Sequence, residues 1–397
     1  MIILIVKIAE NIFYVGIDDK QTRFFEGIWP IPNGISYNSY LIIDDKIALI
    51  EGGVRATFSR EFLDDLSSIV DIEKIDYIIV NHMEPDHTGT LPILYRLAPN
   101  SKIIVSNMGK RLLKSFYDIE DEERVVVVKD GDKISLGQKE LVFYTIPGVH
   151  WPDSMVTYEP SEKILFSSDA FGTYGSLNGR IFDDEIDIDF FLTEGKRYFT
   201  NIVGKFCAPT QVALKKLSGL KIKIVAPAHG PVWRKNPKKI IELYDKLSKY
   251  ESKEKVLIMY GSMYGFNKQA AEYLAKKLVG KGVDVKLMDV TNWHPSYILA
   301  EAWDSKIVVI GVPTYDGGAF PLIYTAATYL QKKLLKNKYY AIFGTFGWSG
   351  KGYKEIREIL DRIEWKLVEP IVEINGKLRK ENKELLDRLA EEIASKV

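Results

Sequence analysis

The chain has 397 residues, 46% hydrophobic and 27% charged, with 54 Lys and Arg against 54 Asp and Glu. That length holds two or three domains with their own cores, and the balance excludes disorder and a nucleic-acid-binding basic tract. Cys207 stands alone, which excludes an intrachain disulfide, a thiolate zinc site and a Cys-ligated iron–sulfur cluster, and points to a reducing cytoplasm.

The opening MIILIV is apolar but is cut short by Lys7 and Glu10, so it reads as a strand and not as a membrane span or signal peptide. Short apolar runs bounded by turn residues follow: NSYLII, KIALIEGG, IDYIIVN, SKIIVS, RVVVVKDGD, LVFYTIPG, KILFSSD and KIKIVAPAHG. Helical patterns such as SREFLDDLSSI and NMGKRLLKSFY are interspersed. Many strands and few helices predict two packed sheets with outer helices. The charged amphipathic stretch PKKIIELYDKLSKYESKEK (237–255) is predicted as the helix that ends this region.

Beyond it the pattern becomes strict β-α alternation: KVLIMYG, VDVKLMDV, DSKIVVIGVPTY, KYYAIFGTFGWSG and WKLVEPIVEI as strands, with helices between and a last helix from Lys380. Five such strands predict an open, doubly wound parallel sheet. The boundary falls near residue 252, giving domains 1–252 and 253–397.

Four of the five histidines follow apolar runs of the first domain: His82 and His87 in NHMEPDHTG, His150 in IPGVHWPDS and His229 in IVAPAHGPV. His82, Glu84 and Asp86 are expected to alternate at the end of the strand IDYIIV, with a helix starting near Gly89, and Asp169 (in LFSSDAFG) is expected to end a strand. Only His294 lies in the second domain, where it reads as a loop or surface residue. Taken singly, Asp86 or Thr88 serves as a helix N-cap as readily as a ligand. Taken together, seven ligand-capable groups are too many for one tetrahedral ion and suit two ions sharing a carboxylate, with Asp169 as the bridge. A shell of imidazoles and carboxylates without thiolate fits iron or manganese well and zinc acceptably.

In the second domain, YGSMYGFNKQ places Ser262, Gly265 and Asn267 between a strand and a helix N-terminus, where hydroxyl and backbone N–H groups hold a phosphate. It lacks the Gly-Lys-Ser/Thr end of a Walker loop, and an ordinary βα turn is the competing reading. GVPTYDGG (311–318) and GTFGWSGKG (344–352) end two further strands, offering the flat faces of Tyr315 and Trp348. Met263, Tyr264, Pro313, Thr314, Asp316, Gly317, Phe346, Gly347, Ser349 and Gly350 complete the candidate set. A phosphate loop beside two aromatic-bearing loops, without GxGxxG, argues for FMN over a dinucleotide.

NHMEPDHTG, HWPDSMVTY, LFSSDAFG, APAHGPVWR, YGSMYG, GVPTYDGG and FGTFGWSG, in this order, make essentially the whole chain resemble the flavodiiron proteins, or A-type flavoproteins. The resemblance implies an αββα metallo-β-lactamase-like domain followed by a flavodoxin-like one. It implies a non-haem diiron centre, fed by FMN, that reduces dioxygen to water or nitric oxide to nitrous oxide. One iron would take His82, Glu84 and His150, the other Asp86, His229 and His87, with Asp169 bridging. In the family the equivalent of His87 is sometimes replaced by water, so ligand and neighbour both stay open for it. The resemblance also implies a head-to-tail homodimer, or a tetramer of such dimers, in which the flavin of one subunit meets the diiron site of the other.

Some residues depart from the family's pattern. Glu26, in RFFEG, stands where many members carry a histidine near the metal pocket, with consequences expected for proton supply or choice of gas. Glu51, in ALIEGG, stands where aspartate is usual, and Tyr198 is a candidate pocket residue. The chain carries no Cys-rich rubredoxin module, so the reductant is expected to be a separate molecule, either rubredoxin or the reduced deazaflavin coenzyme of methanogens. The Lys- and Ile-rich composition favours the deazaflavin. The reading from another class is a dizinc hydrolase of the metallo-β-lactamase fold, against which Glu84 speaks, because that group shows H-x-H-x-D-H.

Overall fold

A computed structural model describes residues 5–397. The strand predicted over MIILIV appears as Ile5–Ala9, and residues 1–4 lie outside the described ones. By contact the chain divides into two compact units. The first runs to Phe199 and resumes over Phe206–Ser248; the second comprises Thr200–Lys205 and Lys249–Val397.

The first unit contains a seven-stranded and a five-stranded sheet. The larger runs in spatial order Ile5–Ala9, Ile12–Asp19, Ile35–Ile43, Ile47–Ile50, Ile75–Ile79, Lys102–Val105 and Val125–Val127. It is antiparallel as far as Ile47–Ile50 and parallel beyond. The smaller is Lys133–Ser135, Glu140–Thr145, Met155–Glu159, Ile164–Ser168 and Ile224–Pro227, with only its last pair parallel. Tyr40, Ile50, Ile79 and Ile104 of the first sheet share one buried cluster with Phe143, Met155, Phe166 and Ala226 of the second. Each such side chain contributes about 1.5–3 kcal/mol by leaving water, and the facing sheets are held chiefly by it. The helix Asn107–Tyr117 covers Lys102–Val105 and Val125–Val127, completing the αββα pattern on that side.

The helix predicted over 237–255 is shorter: Pro237–Ser248 is helical, and Lys253 already opens a strand. Tyr250, at φ 58°, sits in the left-handed region that a continuing helix cannot use. Pairing of Lys253–Tyr260 with both neighbouring strands outweighs the local helical pattern.

In the second unit the parallel strands lie in the order Asp284–Asp289, Lys253–Tyr260, Ser305–Gly311 and Tyr339–Phe346. The predicted fifth strand, WKLVEPIVEI, is interrupted: Lys366–Leu367 and Val372–Asn375 each pair with Tyr339–Phe346. Pro370 has no N–H to give the ladder, which accounts for the gap. Phe266–Val279 packs with Lys380–Ala394, while Pro321–Lys332 packs with both Pro295–Asp304 and Tyr353–Asp361. This is the doubly wound sheet with the order 2-1-3-4-5, whose ligand crevice lies beyond the carboxyl ends of its first and third strands.

Candidate metal centre and flavin crevice

The strand Ile75–Ile79 ends earlier than NHMEPDHTG suggests, so His82, Glu84 and Asp86 do not alternate along a strand end. Pro85, whose fixed φ suits a first helical position, starts the single turn Pro85–Thr88, ahead of the helix start expected near Gly89. His82 and Glu84 therefore stay in the loop, while Asp86 and His87 ride on the turn. Neither Asp86 nor Thr88 is the cap: Glu84 is, without a side-chain cap bond. The hydroxyl of Thr88 donates instead to the carbonyls of Met83 and Glu84.

The other three groups come from the second sheet. Asp169 directly follows Ile164–Ser168, His229 lies just past Ile224–Pro227, and His150 sits in the connection before Met155–Glu159. All seven converge in two sets. The first is His82, Glu84, His150 and Asp169; the second is Asp86, His87 and His229. The Oδ2 of Asp169 faces the first set, 3.1 Å from His150 Nε2 and 3.4 Å from His82 Nε2. Its Oδ1 faces the second, 3.2 Å from both His87 Nε2 and His229 Nε2.

Donors about 2.1 Å from one ion lie roughly 3.0–3.4 Å apart at octahedral to tetrahedral angles, so this spacing is that of ligands to a shared centre. Hydrogen bonding explains only part of it. Both oxygens of Asp86, Nε2 of His87 and of His229, and Oδ2 of Asp169 are buried and lack a hydrogen-bond partner. Orphaned buried polar atoms pointing at one another are costly unless something else occupies the space between. The residues fit a two-metal centre.

Supporting residues set the ring orientations. Asp153 lies 3.2 Å from His82 Nδ1 and accepts from Met83 N at 2.7 Å. The carbonyl of Ser36 accepts from His229 Nδ1 at 2.7 Å, which fixes the tautomer and leaves Nε2 as the ligating atom. Asp153 stands within the HWPDS motif but is 71 residues from His82, so the sequence offered no sign of the pairing. Trp151 packs edge-on against His82, and Phe25, Tyr37 and Tyr198 surround His229.

Tyr198 is fully buried, and its hydroxyl donates to Asp169 Oδ1 at 3.0 Å; it touches the carboxylate and does not open onto the mouth. Glu26 stands exposed at the tip of the Phe24–Phe25/Trp29–Pro30 hairpin, where it accepts from Trp29 Nε1 at 3.1 Å. With Tyr37, Arg55, Glu84 and Asp86 it lines a pocket of about 220 Å³ over the centre. Glu51 is buried, accepting from Asn81 Nδ2 at 2.7 Å and Ser168 Oγ at 3.1 Å, and it joins the chain before His82 to the chain before Asp169.

Burial alone would lower the histidine pKa values, but the carboxylates prevail. Asp169 and Glu84 push His150 up to about 9, and Asp169 and Asp86 push His229 up to about 10. Burial likewise opposes ionisation of Asp169, and His87, His150 and His229 override it, holding that carboxyl well below its usual range. In the metal-free chain at pH 7, protons occupy the imidazoles and must leave when metal enters. Loading with zinc(II) or iron(II) is therefore expected to release at least two protons, from His150 and His229, and to tighten as pH rises toward 10. Calorimetric titration in buffers of differing ionisation enthalpy measures this; no buffer dependence at pH 7 would contradict it.

In the second unit, Tyr260 is level with Gly311, and Gly311 with Phe343, so the three candidate loops leave neighbouring strands on one edge. Gly265, at φ 86° with open space where a Cβ would stand, precedes the helix Phe266–Val279. The Ser262 hydroxyl accepts from Gly265 N and Lys268 N, which leaves its own proton to donate to a phosphate oxygen. Asn267 differs from expectation: it is buried and donates to Gly261 O at 2.7 Å, bracing the loop from beneath. Thr314 and Tyr315 form a short ladder with Gly318 and Ala319 around the turn Asp316–Gly317, and Pro313 O accepts from Phe320 N. Thr314 Oγ1 accepts from Gly352 N at 3.2 Å and ties the second loop to the third. Phe346 ends its strand, and Gly347, Trp348 and Ser349 are exposed, with Gly350 half-buried. Trp348 is 95% exposed, Tyr264 84% and Tyr315 44%, more than aromatic rings without a partner ligand ordinarily show. Met263 is also exposed. Flat rings beside a helix N-terminus fit a flavin mononucleotide.

Replacing Gly265 by Val puts a β-branched residue at positive φ. It is expected to weaken FMN retention at least tenfold while metal content stays unchanged, as read by flavin fluorescence after dialysis and by metal analysis.

Comparisons with known proteins find relatives of both units. Residues 35–230 match the model of the ODP family beta lactamase, and residues 258–386 that of flavodoxin. The nitric oxide reductase of Moorella thermoacetica is 34% identical over 99% of this chain and 98% of its own. The structure of rubredoxin oxygen:oxidoreductase from Desulfovibrio gigas superposes with a TM-score of 0.94 at 32% identity, covering 98% of each chain. The flavodiiron protein of Giardia intestinalis also superposes with a TM-score of 0.94, at 29% identity over 99% of this chain and 96% of that one.

Proposed function

From its membership of the flavodiiron protein family, to which this chain belongs, we propose that it reduces dioxygen to water with electrons from an external donor. It is an oxidoreductase with a metallo-β-lactamase-like and a flavodoxin-like domain, and its cofactors are FMN and a pair of iron ions. When bound, the flavin collects electrons from the donor and the iron pair delivers them to the gas.

The observation that carries the dioxygen reading is the carboxylate at the pocket mouth. Each dioxygen takes up four protons with four electrons, whereas two nitric oxide molecules take up only two of each in forming nitrous oxide and water. Glu26, exposed to solvent and lining the same pocket as Glu84 and Asp86, is placed to relay protons from solvent where demand is higher. His82, Glu84 and His150 would hold one ion and Asp86 and His229, with His87 beside them, the other, and Asp169 would be shared between the two. Tyr198 restrains the Asp169 carboxylate with its hydroxyl, and the rings of Phe25, Tyr37 and Trp151 keep water from the imidazoles.

Ser262, Met263, Tyr264 and Gly265 would hold the phosphate end of the flavin, and Pro313–Gly317 and Phe346–Gly350 would flank its ring, while Asn267 braces the loop. Exposed flat faces at Trp348 and Tyr264 accept a second ring system by stacking, which favours the reduced deazaflavin coenzyme as donor. Exposed apolar groups, Phe24, Ile28 and Phe116, stand at the metal mouth. These favour a second copy of the chain as partner, a head-to-tail dimer or a tetramer of dimers in which residues 1–252 of one subunit meet residues 253–397 of the other. No described helix is long and apolar enough to cross a membrane.

Nitric oxide reduction with rubredoxin as donor is the second reading, favoured by the Moorella relative. Anaerobic stopped-flow with reduced deazaflavin or reduced rubredoxin, followed by dioxygen or nitric oxide, separates the two. Dioxygen consumption at least tenfold faster than nitric oxide consumption is expected, and the reverse ratio would defeat the proposal. Glu26→Gln is expected to lower the dioxygen rate severalfold and the nitric oxide rate less.

A further inference from the structure

The two halves of the metal centre are supported by different chemistry. Behind His82 stands a full carboxylate: Asp153 lies 3.2 Å from Nδ1 through each of its oxygens, is almost completely buried, and is itself fixed by Met83 N at 2.7 Å. The Ser106 hydroxyl donates to the carbonyl of Asp153 at 2.7 Å and holds its backbone. Behind His229 stands a neutral carbonyl, that of Ser36.

The halves also differ in how far they are assembled before an ion arrives. Glu84 Oε2 lies 3.2 Å from His82 Nε2 and 3.1 Å from His150 Nε2, hydrogen-bonded to both, so three ligating atoms are already drawn together. In the other half Asp86 stands somewhat farther from its imidazoles, 3.5 Å from His87 Nε2 and 3.4 Å from His229 Nε2, ion-pair contacts that are not hydrogen bonds. A carboxylate behind an imidazole increases its basicity and fixes its tautomer, and a prearranged ligand set loses less freedom on binding.

We propose that Asp153 is a positioning residue that makes the His82–Glu84–His150 half the tighter of the two. The centre then fills in order, that half first and the Asp86–His87–His229 half second. This rests on the two-metal reading above.

The test is anaerobic titration of the metal-free, FMN-containing chain with iron(II) or cobalt(II), followed by calorimetry and by the cobalt absorption spectrum. Two resolved phases are expected, the first at least tenfold tighter. Asp86→Ala is expected to abolish the second phase and spare the first. Asp153→Asn is expected to weaken the first by 10–100-fold and bring the phases together. Loss of the tight phase in Asp86→Ala, a tight phase unmoved in Asp153→Asn, or one unresolved phase in the unaltered chain would overturn the proposal. Should Asp153→Asn fail to fold by circular dichroism, the Asp86→Ala titration decides alone. Uptake of fewer than two ions by the unaltered chain would instead defeat the two-metal reading itself, so the two failures are distinguishable.

Discussion

An Asp169→Asn variant is expected to keep its fold and to lose the metal pair. The side chain is buried, and its two oxygens are divided between the halves of the centre, Oδ2 toward His82 and His150, Oδ1 toward His87 and His229. Asparagine has nearly the same shape but presents an amide nitrogen in place of one oxygen, and an amide N–H₂ donates and does not ligate. Whichever way the amide turns, one half loses its shared ligand and the centre loses a negative charge. Bound metal is expected to fall from two ions per chain to one or fewer. The rate of dioxygen consumption should fall by about 10²–10³-fold or more, the scale seen when one charge-stabilising group leaves a preorganised site. Metal analysis and an oxygen electrode read both; two ions and an undiminished rate would remove Asp169 from the bridging role.

The largest effect on stability is expected at Asn38. Its Oδ1 accepts from the buried Tyr14 hydroxyl at 3.0 Å, and its Nδ2 donates to the carbonyls of Pro227 and Gly230 at 2.8 Å each. One amide thus fastens the first sheet to the chain that carries His229. In Asn38→Ala, Pro227 O keeps the Tyr40 hydroxyl, which donates to it at 2.7 Å. The Tyr14 hydroxyl and Gly230 O are stranded away from water. Each buried group left without its partner costs about 1–3 kcal/mol, so a loss of about 3 kcal/mol is expected. Tyr40→Phe is the control: Pro227 O retains Asn38, and about 1 kcal/mol is expected. Urea unfolding of the metal-free chain measures both, reading the transition of the first unit separately because a two-unit chain need not melt in one step. Equal losses in the two variants would refute this assignment.

The seven candidate metal ligands stood out because each is a polar group in the stretch that follows an apolar run. Strand ends in a sandwich converge on one edge, so position in sequence was a fair proxy for position in space. That proxy fails for groups whose role depends on a partner brought by folding. Asp153 could be named only once His82 was beside it, and Asn38 once Ile224–Pro227 lay across from it. The local path was also misread at Pro85, where the ring's fixed φ favours a helical turn over a continued strand. Alternation of strands and helices disclosed the second unit's sheet, but not the break at Pro370. The helix Ile188–Tyr198, which carries Tyr198 to Asp169, was not singled out at all. Its apolar positions are sparse among acids and bases, and packing against Pro237–Ser248 stabilises it more than its own periodicity.

The ligands of each half come from both sides of the sandwich. His82, Glu84, Asp86 and His87 follow a strand of the larger sheet; His150, Asp169 and His229 belong to the smaller. An ion in either half is therefore a stitch across the seam between the sheets, where otherwise only apolar contact and a few hydrogen bonds resist opening. Ligand binding to the folded state adds to its stability in proportion to the logarithm of one plus the ratio of free ligand concentration to Kd. The lifetime of this chain against proteases is thereby tied to iron supply. Copies made during iron scarcity are expected to open and be cleared first, leaving those equipped to work.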